Sequence, residues 1–493
     1  MHTDQTDNNY EKISSMFNLN RRKFLNSSFA AAGAIVMPAF GNANHSNKTE
    51  APGVGQFVEP KKTIPLKGEF DVVVCGGGPA GISAAVTAAR AGARTQLLEV
   101  HGCLGGVWTA GLLTYIFDFN KPGITQEIIK KLDERGARRN KVADQFVYAP
   151  DEMKLLLEEM AMDAGVNFLL HTRVAAAYKD KKQVTTVISE SKSGREAWKA
   201  KVFIDATGDG DVGAQAGNGW DIGMGGDSCP CQPLTLNTLA VVKDANALKD
   251  YISFYQDDNG KANGSWHVAA TKAFMKEINR AGISPSYGMP TLFLIRDNLV
   301  MVMVNHEYNV KAFDTAEITE ATVRARKEVY NIVRGLNKLG GVWEGIQVVA
   351  TPEQIGIRDG RRIHGRYTVS KEDLITGARH DDGVTIPTFG VDIHATDRKT
   401  NDVETISRGG IKMKPYDIPL RALIAKDVDG LMMAGRCISG DFTAHASYRV
   451  TGNAVAMGEA AGVIAAIAAK SNRLPHEVNW AEGEALLKKL GQR

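Results

Sequence analysis

Phe70-Asp-Val-Val-Val-Cys75 is a short, apolar, Val-rich run that predicts a buried strand. A helix is expected from Pro79, with Gly92 as its stop, followed by a second strand over Arg94–Leu98. Met153, Leu156, Leu157, Met160 and Ala161 recur at helical spacing, which predicts an amphipathic helix over 151–164. Val166–Leu170 and Val174 read as strand. Lys182–Val202 reads as a hairpin turning at Ser191–Gly194. After Asp211 the pattern changes. Strand-like runs at Leu234–Val242 and Thr291–Val304 alternate with helical runs at Ala269–Ala281 and Ala316–Leu336. Near the end, Leu431–Ala434 predicts a strand. A helix of small residues is expected from Asn453 to Ala469, with Ala454, Gly458, Ala461, Gly462 and Ala465 allowing close packing.

The first of these elements bracket a glycine motif. Gly76, Gly78 and Gly81 give the G-x-G-x-x-G spacing between strand and helix. Gly76 permits the tight turn, Gly78 lets backbone approach a pyrophosphate, and Gly81 lets helix pack on strand. Free N–H groups at the helix start, with Pro79 and Ala80, form an anion site. Glu99, closing the second strand, accepts from ribose hydroxyls and argues against a 2′-phosphate. Strand, motif, helix, strand and acid in that order predict a dinucleotide site.

Composition narrows the class. With 493 residues the chain is too long for one core. The 59 basic and 56 acidic residues leave a net charge of +3, which gives no case for nucleic acid. The five cysteines are few and odd in number, so disulfides are not the basis of the fold. Cys75 reads as a core residue. Cys229-Pro-Cys231 reads either as a redox pair or substrate-site thiol, or as two loop cysteines at the edge of a second domain, and the strain of so small a ring favours the last. No His, Cys or carboxylate spacing suits a metal.

The N-terminus reads as an export signal. Asn20-Arg21-Arg22-Lys23-Phe24-Leu25-Asn26 resembles the twin-arginine signal. Apolar Phe29–Phe40 follows, and Gly41-Asn42-Ala43 offers a cleavage site. The apolar stretch is too short to span a bilayer, so no stable membrane span is expected. The resemblance implies the twin-arginine translocase as a partner and a periplasmic or otherwise exported location. The expected organisation is a signal over 1–43, a linker over 44–69, a first cofactor segment over 70–218, a cap over 219–345 and a return segment over 346–493.

Three segments identify the dinucleotide through a resemblance. Gly105-Gly106 with Thr109, the run Val202 to Gly210 containing Gly208 and Asp209, and the block Gly430 to Gly462 resemble FAD segments of proteins with the glutathione-reductase-like FAD fold. The glycine spacing recurs at Gly208, Gly210 and Gly213, but no strand ending in an acid follows, so a second nicotinamide site is not expected. Ile355-Gly-Ile-Arg-Asp-Gly-Arg-Arg-Ile363, Val391-Asp-Ile-His394 and Tyr416-Asp-Ile-Pro-Leu-Arg421 are similar to runs in bacterial FAD-dependent oxidoreductases that carry Gly-Gly-x-x-Thr and Ile-Gly-x-Arg-x-x-Arg-Arg-Ile. The resemblance covers most of 70–470. It implies an α/β fold: a discontinuous, glutathione-reductase-like FAD/NAD(P)-binding Rossmann domain with an inserted α+β cap. FAD would be held by Gly76, Gly78, Pro79, Ala80, Gly81, Glu99, Gly105, Gly106, Thr109, Val174 near the adenine, Gly208, Asp209, Gly435, Arg436, Asn453 and Ala454. Cys103 lacks the second cysteine of flavin disulfide reductases, which argues against that chemistry.

A flavin enzyme needs a proton acceptor and substrate anchors. His445 is the first candidate base and His394 the second. Arg449 and Arg358 suit a carboxylate clamp. Their competing role is internal ion pairing with Asp359, Asp392 or Asp441, which is the favoured role for Arg361 and Arg362. The expected activity is hydride removal from a C–OH or C–NH carbon, with electrons passing to a quinone, a small carrier or oxygen. An ene reductase of the fumarate-reductase type, with Arg358 or Arg449 as acid, is the alternative. A non-catalytic flavin-binding protein is the other.

Overall fold

The fold is taken from a computed structural model that describes residues 59–493 except 143–144, 226–229, 258–260 and 262–266, and only the backbone at 140–142. β1 (Leu66–Cys75), α1 (Pro79–Arg90) and β2 (Thr95–Leu98) form a βαβ unit. The strands run in parallel, with Val72 opposite Thr95 and Cys75 opposite Leu98. Val72, Val73, Val74 and Cys75 are all fully buried, which is why this strand shows no alternation. α2 (Pro150–Asp163) leads to β3 (Asn167–Leu169), which lies parallel to β2. The five apolar residues expected on its inner face are buried.

β4 (Arg173–Asp180), β5 (Gln183–Ser191) and β6 (Gly194–Asp205) form an antiparallel meander, with Ser191 opposite Gly194 at its tight turn. β6 is long enough to serve several partners. Gly194–Lys199 pairs with β5, while Ala197–Asp205 lies parallel to β1.

The cap sheet comes next. It is built from β7 (Thr238–Val241), β8 (Thr291–Arg296), β9 (Leu299–Met303) and β10 (Gln347–Ala350), in the order β8-β9-β7-β10 and all antiparallel. Helices α3 (His267–Arg280) and α4 (Thr315–Leu339) cover one face. Leu292, Leu294, Val300 and Val302 pack there with Phe274, Ile278, Val329 and Ile332. Phe293, Ile295 and Met301 point the other way, into the main core. Burial on both faces explains why Leu299–Val304 reads as simply apolar.

The chain then returns through β11 (Ile393–His394) to β12 (Leu431–Met433), which lies parallel to the end of β6. The parallel strands therefore run β3-β2-β1-β6-β12, the doubly wound order with its switch between β1 and β6. α5 (Phe442–Tyr448) and α6 (Thr451–Ser471) close the domain. Among the described residues α6 alone is long and apolar enough to cross a membrane. However, 94% of its most apolar window is buried inside the protein, as in a core helix. Thr63–Arg493 is one compact unit.

Several boundaries differ from expectation. The first strand starts at Leu66, so 66–69 is sheet and not linker. Thr291–Val304 is a hairpin turned at Asp297, whose φ of 44° puts a non-glycine residue in the left-handed region. β7 begins at Thr238, and Leu234 and Thr235 make only single bridges, to Glu307 and Gly356. The cap sheet extends past 345 to take in Gln347–Ala350. The twin-arginine run and Cys229 lie outside the described residues.

Candidate active site

The starts of α1 and α6 meet. Neither helix has a side-chain cap at its first residue, so both leave backbone N–H donors free. A Cβ on Gly435 would lie 3.0 Å from Ala80 Cβ and 3.7 Å from Ala454 Cβ, which places the two first turns around one glycine. Gly435 has φ 89°, so the turn after β12 needs glycine on conformational grounds as well. The glycine motif is built as its spacing requires. A Cβ on Gly76 would fall 2.4 Å from the Ala206 carbonyl oxygen, and one on Gly81 would fall 1.8 Å from the Gly76 oxygen. One on Gly78 meets nothing within 4 Å, so that glycine faces open space.

The remaining expected cofactor residues surround this cradle. Gly105 N–H donates to the Gly77 carbonyl at 2.8 Å, and Gly106 comes within van der Waals contact of Gly78. Thr109 donates its hydroxyl to the Leu104 carbonyl at 2.6 Å, shaping this loop from within. Glu99 is buried and accepts from Gly77 N–H at 2.5 Å and His101 N–H at 2.8 Å. The Glu99 carbonyl accepts from Thr172 N–H, which brings Val174 to the same end of the sheet. Asp209, beside Gly208, pairs with Arg436 at 2.8 Å. Asn453, in the first turn of α6, is fully buried, and neither of its side-chain polar atoms has a partner among the described residues.

A second constellation adjoins the start of α6. Arg449 Nη2 donates to Gln232 Oε1 at 3.1 Å, to the Asp392 carbonyl at 2.8 Å and to Asp392 Oδ2 at 3.2 Å. His394 Nε2 lies 3.1 Å from the same Oδ2, and His394 N–H donates to Gln232 Oε1 at 3.0 Å. His306 stands with its ring centre 5.1 Å from His394 and 4.1 Å from Tyr287. Arg358 Nη1 donates to the Pro233 carbonyl at 2.8 Å and to Thr235 Oγ1 at 2.5 Å. Arg358 is half-buried.

The charge states follow from burial. Desolvation lowers His394 to about 4, with Arg358 adding to the effect and Asp392 opposing it. Burial alone would raise the Asp392 carboxyl, but His394, Arg449 and Arg358 outweigh it and hold Asp392 well below the usual range. The pair titrates as one unit. At neutral pH it is a neutral imidazole against an ionised carboxylate, because Arg449 neutralises the same oxygen. Burial, then Arg358, His394 and Arg449, push His306 well below its ordinary value. Arg358 falls to about 10, through burial and then the Arg449 charge.

The chain matches the family described as FAD dependent oxidoreductase over residues 71–490. It belongs to that family. Shorter matches are to the thiamine thiazole synthases of Methanococcus vannielii, 30% identical over 149 residues, and Methanococcus aeolicus, 32% identical over 151. These cover 28% of this chain and 56% and 55% of the relatives, so the chain spans about half the length of the curated relatives it matches. Among solved structures it is similar to a geranylgeranyl bacteriochlorophyll reductase-like protein from Thermoplasma acidophilum. The TM-score is 0.44 at 15% identity, covering 85% of this chain and 83% of that one. It is also similar to a flavin-dependent brominase, with a TM-score of 0.43 at 12% identity, covering 86% and 84%.

The FAD-dependent oxidoreductase has a cradle that fits its cofactor. Two uncapped helix starts, the open face at Gly78 and the orphaned Asn453 amide all await polar groups of a ligand. Of the four expected catalytic residues, three come together: His394, Arg449 and Arg358. His445 lies near Arg449 but has no carboxylate partner among the described residues. It is fully buried, stacks edge-on to Tyr448 at 5.5 Å, and neither ring nitrogen has a hydrogen-bond partner among the described residues. Burial first, then Arg362, Arg449 and Arg436, push it well below its ordinary value, so it stays neutral and enclosed. Arg361 and Arg362 are internal ion pairs, with Asp211 at 2.9 Å and Asp359 at 3.2 Å. Arg449 has both roles at once, pairing with Asp392 while facing the site.

Sequence reasoning missed Gln232, Tyr287, His306 and Tyr308. A signal existed for the histidine, since His306-Glu-Tyr308 directly follows an apolar strand, at the position where such strands deliver side chains to a site. Gln232 carries no sequence signal. Beside it, Cys231 is buried and disulfide-bonded.

Proposed function

We propose that this oxidoreductase removes hydride from a C–OH or C–NH carbon of a small polar substrate, with His394 as the general base. The His394–Asp392 pair carries the reading. Asp392, ionised, accepts from His394 Nε2, so the ring's remaining lone pair lies on Nδ1, which is buried and has no partner among the described residues. A neutral imidazole with a fixed tautomer is ready to take a hydroxyl or amine proton as hydride leaves. FAD supplies the hydride acceptor when bound. Free N–H groups and the positive dipole end at the start of α6 favour the negative charge that builds up during reduction. Electrons then leave to a quinone, a small carrier or oxygen, and the twin-arginine run supports export through the twin-arginine translocase.

The test is anaerobic. Hydroxy acids, polyols, sugars and amines are added in separate groups to the FAD-loaded protein. Bleaching of the visible band by one group supports the reading, and His394→Gln should slow that bleaching at least about 100-fold with binding retained. No bleaching by any group sinks it. One arrangement favours a second reading, reduction of an unsaturated acid: Arg358 is fixed by hydrogen bonds to the Pro233 carbonyl and Thr235 Oγ1 and has no carboxylate within ion-pair distance among the described residues, which leaves it for a substrate carboxylate or a proton relay. Reoxidation of the chemically reduced protein by unsaturated acids, lost in Arg358→Lys, would decide for it.

A further inference from the structure

Four buried polar atoms in this site have no partner among the described residues: Arg449 Nε, Gln232 Nε2, His394 Nδ1 and His306 Nε2. Their neighbours fix what each offers. Arg449 Nε is a donor. Gln232 Oε1 is occupied by Arg449 Nη2 and His394 N–H, so its free end is the NH2 donor. His394 Nδ1 is an acceptor, by the tautomer Asp392 imposes. Tyr308 donates its one hydroxyl proton to the Ser286 carbonyl at 2.7 Å, so it faces His306 Nδ1, at 3.4 Å, as an acceptor. His306 Nδ1 therefore carries hydrogen, and Nε2 is a second bare acceptor.

The charges are equally lopsided. Arg358 and Arg449 face the one carboxylate of Asp392, because Asp359 is taken by Arg362 and Asp209 by Arg436. A positive charge is left over beside two neutral ring nitrogens that can accept hydrogen bonds. Leaving such groups unpaired is costly, and a ligand that pairs them all is selected by that cost. Guanidinium groups match a carboxylate. Two imidazole acceptors on rings whose centres lie 5.1 Å apart are close enough to serve two hydroxyls of one small molecule.

We propose that the site takes a hydroxy acid bearing a second hydroxyl, with Arg358 and Arg449 on the carboxylate, His394 Nδ1 at the reacting hydroxyl and His306 Nε2 at the second. The proposal rests on the assignment of His394 above. It makes His306 a residue that selects substrate, and Gln232 a donor to one of the substrate oxygens.

The test reads binding, not turnover. The FAD-loaded protein is reduced with dithionite, so that hydroxy acids cannot be oxidised, and titrated by calorimetry with glycerate, lactate, propionate and glycerol. Glycerate should bind about tenfold tighter than lactate, and lactate about tenfold tighter than propionate, one hydrogen bond at each step. Glycerol should bind at least about 100-fold more weakly than glycerate. His306→Phe should erase the preference for glycerate over lactate, and His306→Asn should restore part of it. Arg358→Met should weaken all three acids. Glycerol binding as tightly as glycerate would overturn the proposal, as would His306 variants that weaken lactate and glycerate equally. The two readings fail separately. Acids that bind in this order without bleaching the oxidised protein sink hydride removal alone. An uncharged polyol that bleaches it, while no acid binds, sinks the hydroxy-acid site alone.

Discussion

At the scale of single residues, burial sets the chemistry, and it does so with opposite signs at two positions. His394 falls from 6.5 to about 4 on folding. The unfolded chain therefore binds more protons between those values, and stability is lost as pH falls from about 6.5 towards 4. The same shift keeps His394 unprotonated across neutral pH. The profile of kcat/KM should then be flat from about pH 6 to 8, with its acid limb well below the 6.5 of an ordinary histidine. An acid limb at 6.5 would show that His394 is not the base. Glu459 in α6 behaves oppositely. Burial raises it from 4.5 to about 8, with Arg493 opposing. The folded state then holds a proton that the unfolded state has lost, so stability falls as pH rises from about 4.5 to 8. Glu459→Gln should raise Tm at pH 8 and change it little at pH 4, checked by thermal unfolding at both values.

At the scale of elements, the crossing of α1 and α6 decides whether the cradle exists. A Cβ on Gly458 would lie 2.1 Å from the Ala80 oxygen, and one on Gly462 would lie 2.3 Å from the Ala84 oxygen. Backbone on both sides cannot yield as a flexible side chain would. Gly458→Ala should push the helix starts apart and lower FAD retention more than about tenfold, measured as the ratio of visible to ultraviolet absorbance after dialysis. Gly491→Ala is the contrasting case. Its Cβ meets nothing within 4 Å, so only the cost of its φ of 69° applies and the flavin should stay bound. These helices were legible in the sequence, down to the small residues at 454, 458, 461, 462 and 465. The cap hairpin was not. Burial on both faces of β8 and β9 removed the alternation that marks a strand and hid the turn at Asp297.

At the scale of the whole molecule, the cradle joins residues far apart in the chain. β1 and α1 come from 66–90, the Gly435 turn and α6 from beyond 430, and the cap from between them. A ligand that binds only this assembled state stabilises it by mass action, by about 4 kcal/mol at a thousandfold excess over Kd. Stripping FAD should therefore lower the Tm of the whole compact unit, and adding FAD back should restore it in a concentration-dependent way. Scanning calorimetry of both forms checks this. A Tm indifferent to FAD would mean that FAD does not bind the folded unit in preference to the unfolded chain, and would count against the cradle as its site.

The sequence by itself determined the first half of the dinucleotide cradle, because that half is local: glycine, strand, helix and acid lie within thirty-odd residues, and each follows from backbone sterics. It also named the arginines and one of the two site histidines by residue type. Only the tertiary structure decided which of them meet. His394 and His445 carry the same imidazole, yet one stands against Asp392 beside two arginines while the other stacks edge-on to Tyr448 with no carboxylate partner among the described residues. Gln232, Tyr287 and His306 reach His394 from segments about 160, 105 and 90 residues away, brought there by the cap. Tautomer, charge and the unpaired donors and acceptors are properties of those long-range contacts. Spacing along the chain holds no record of them.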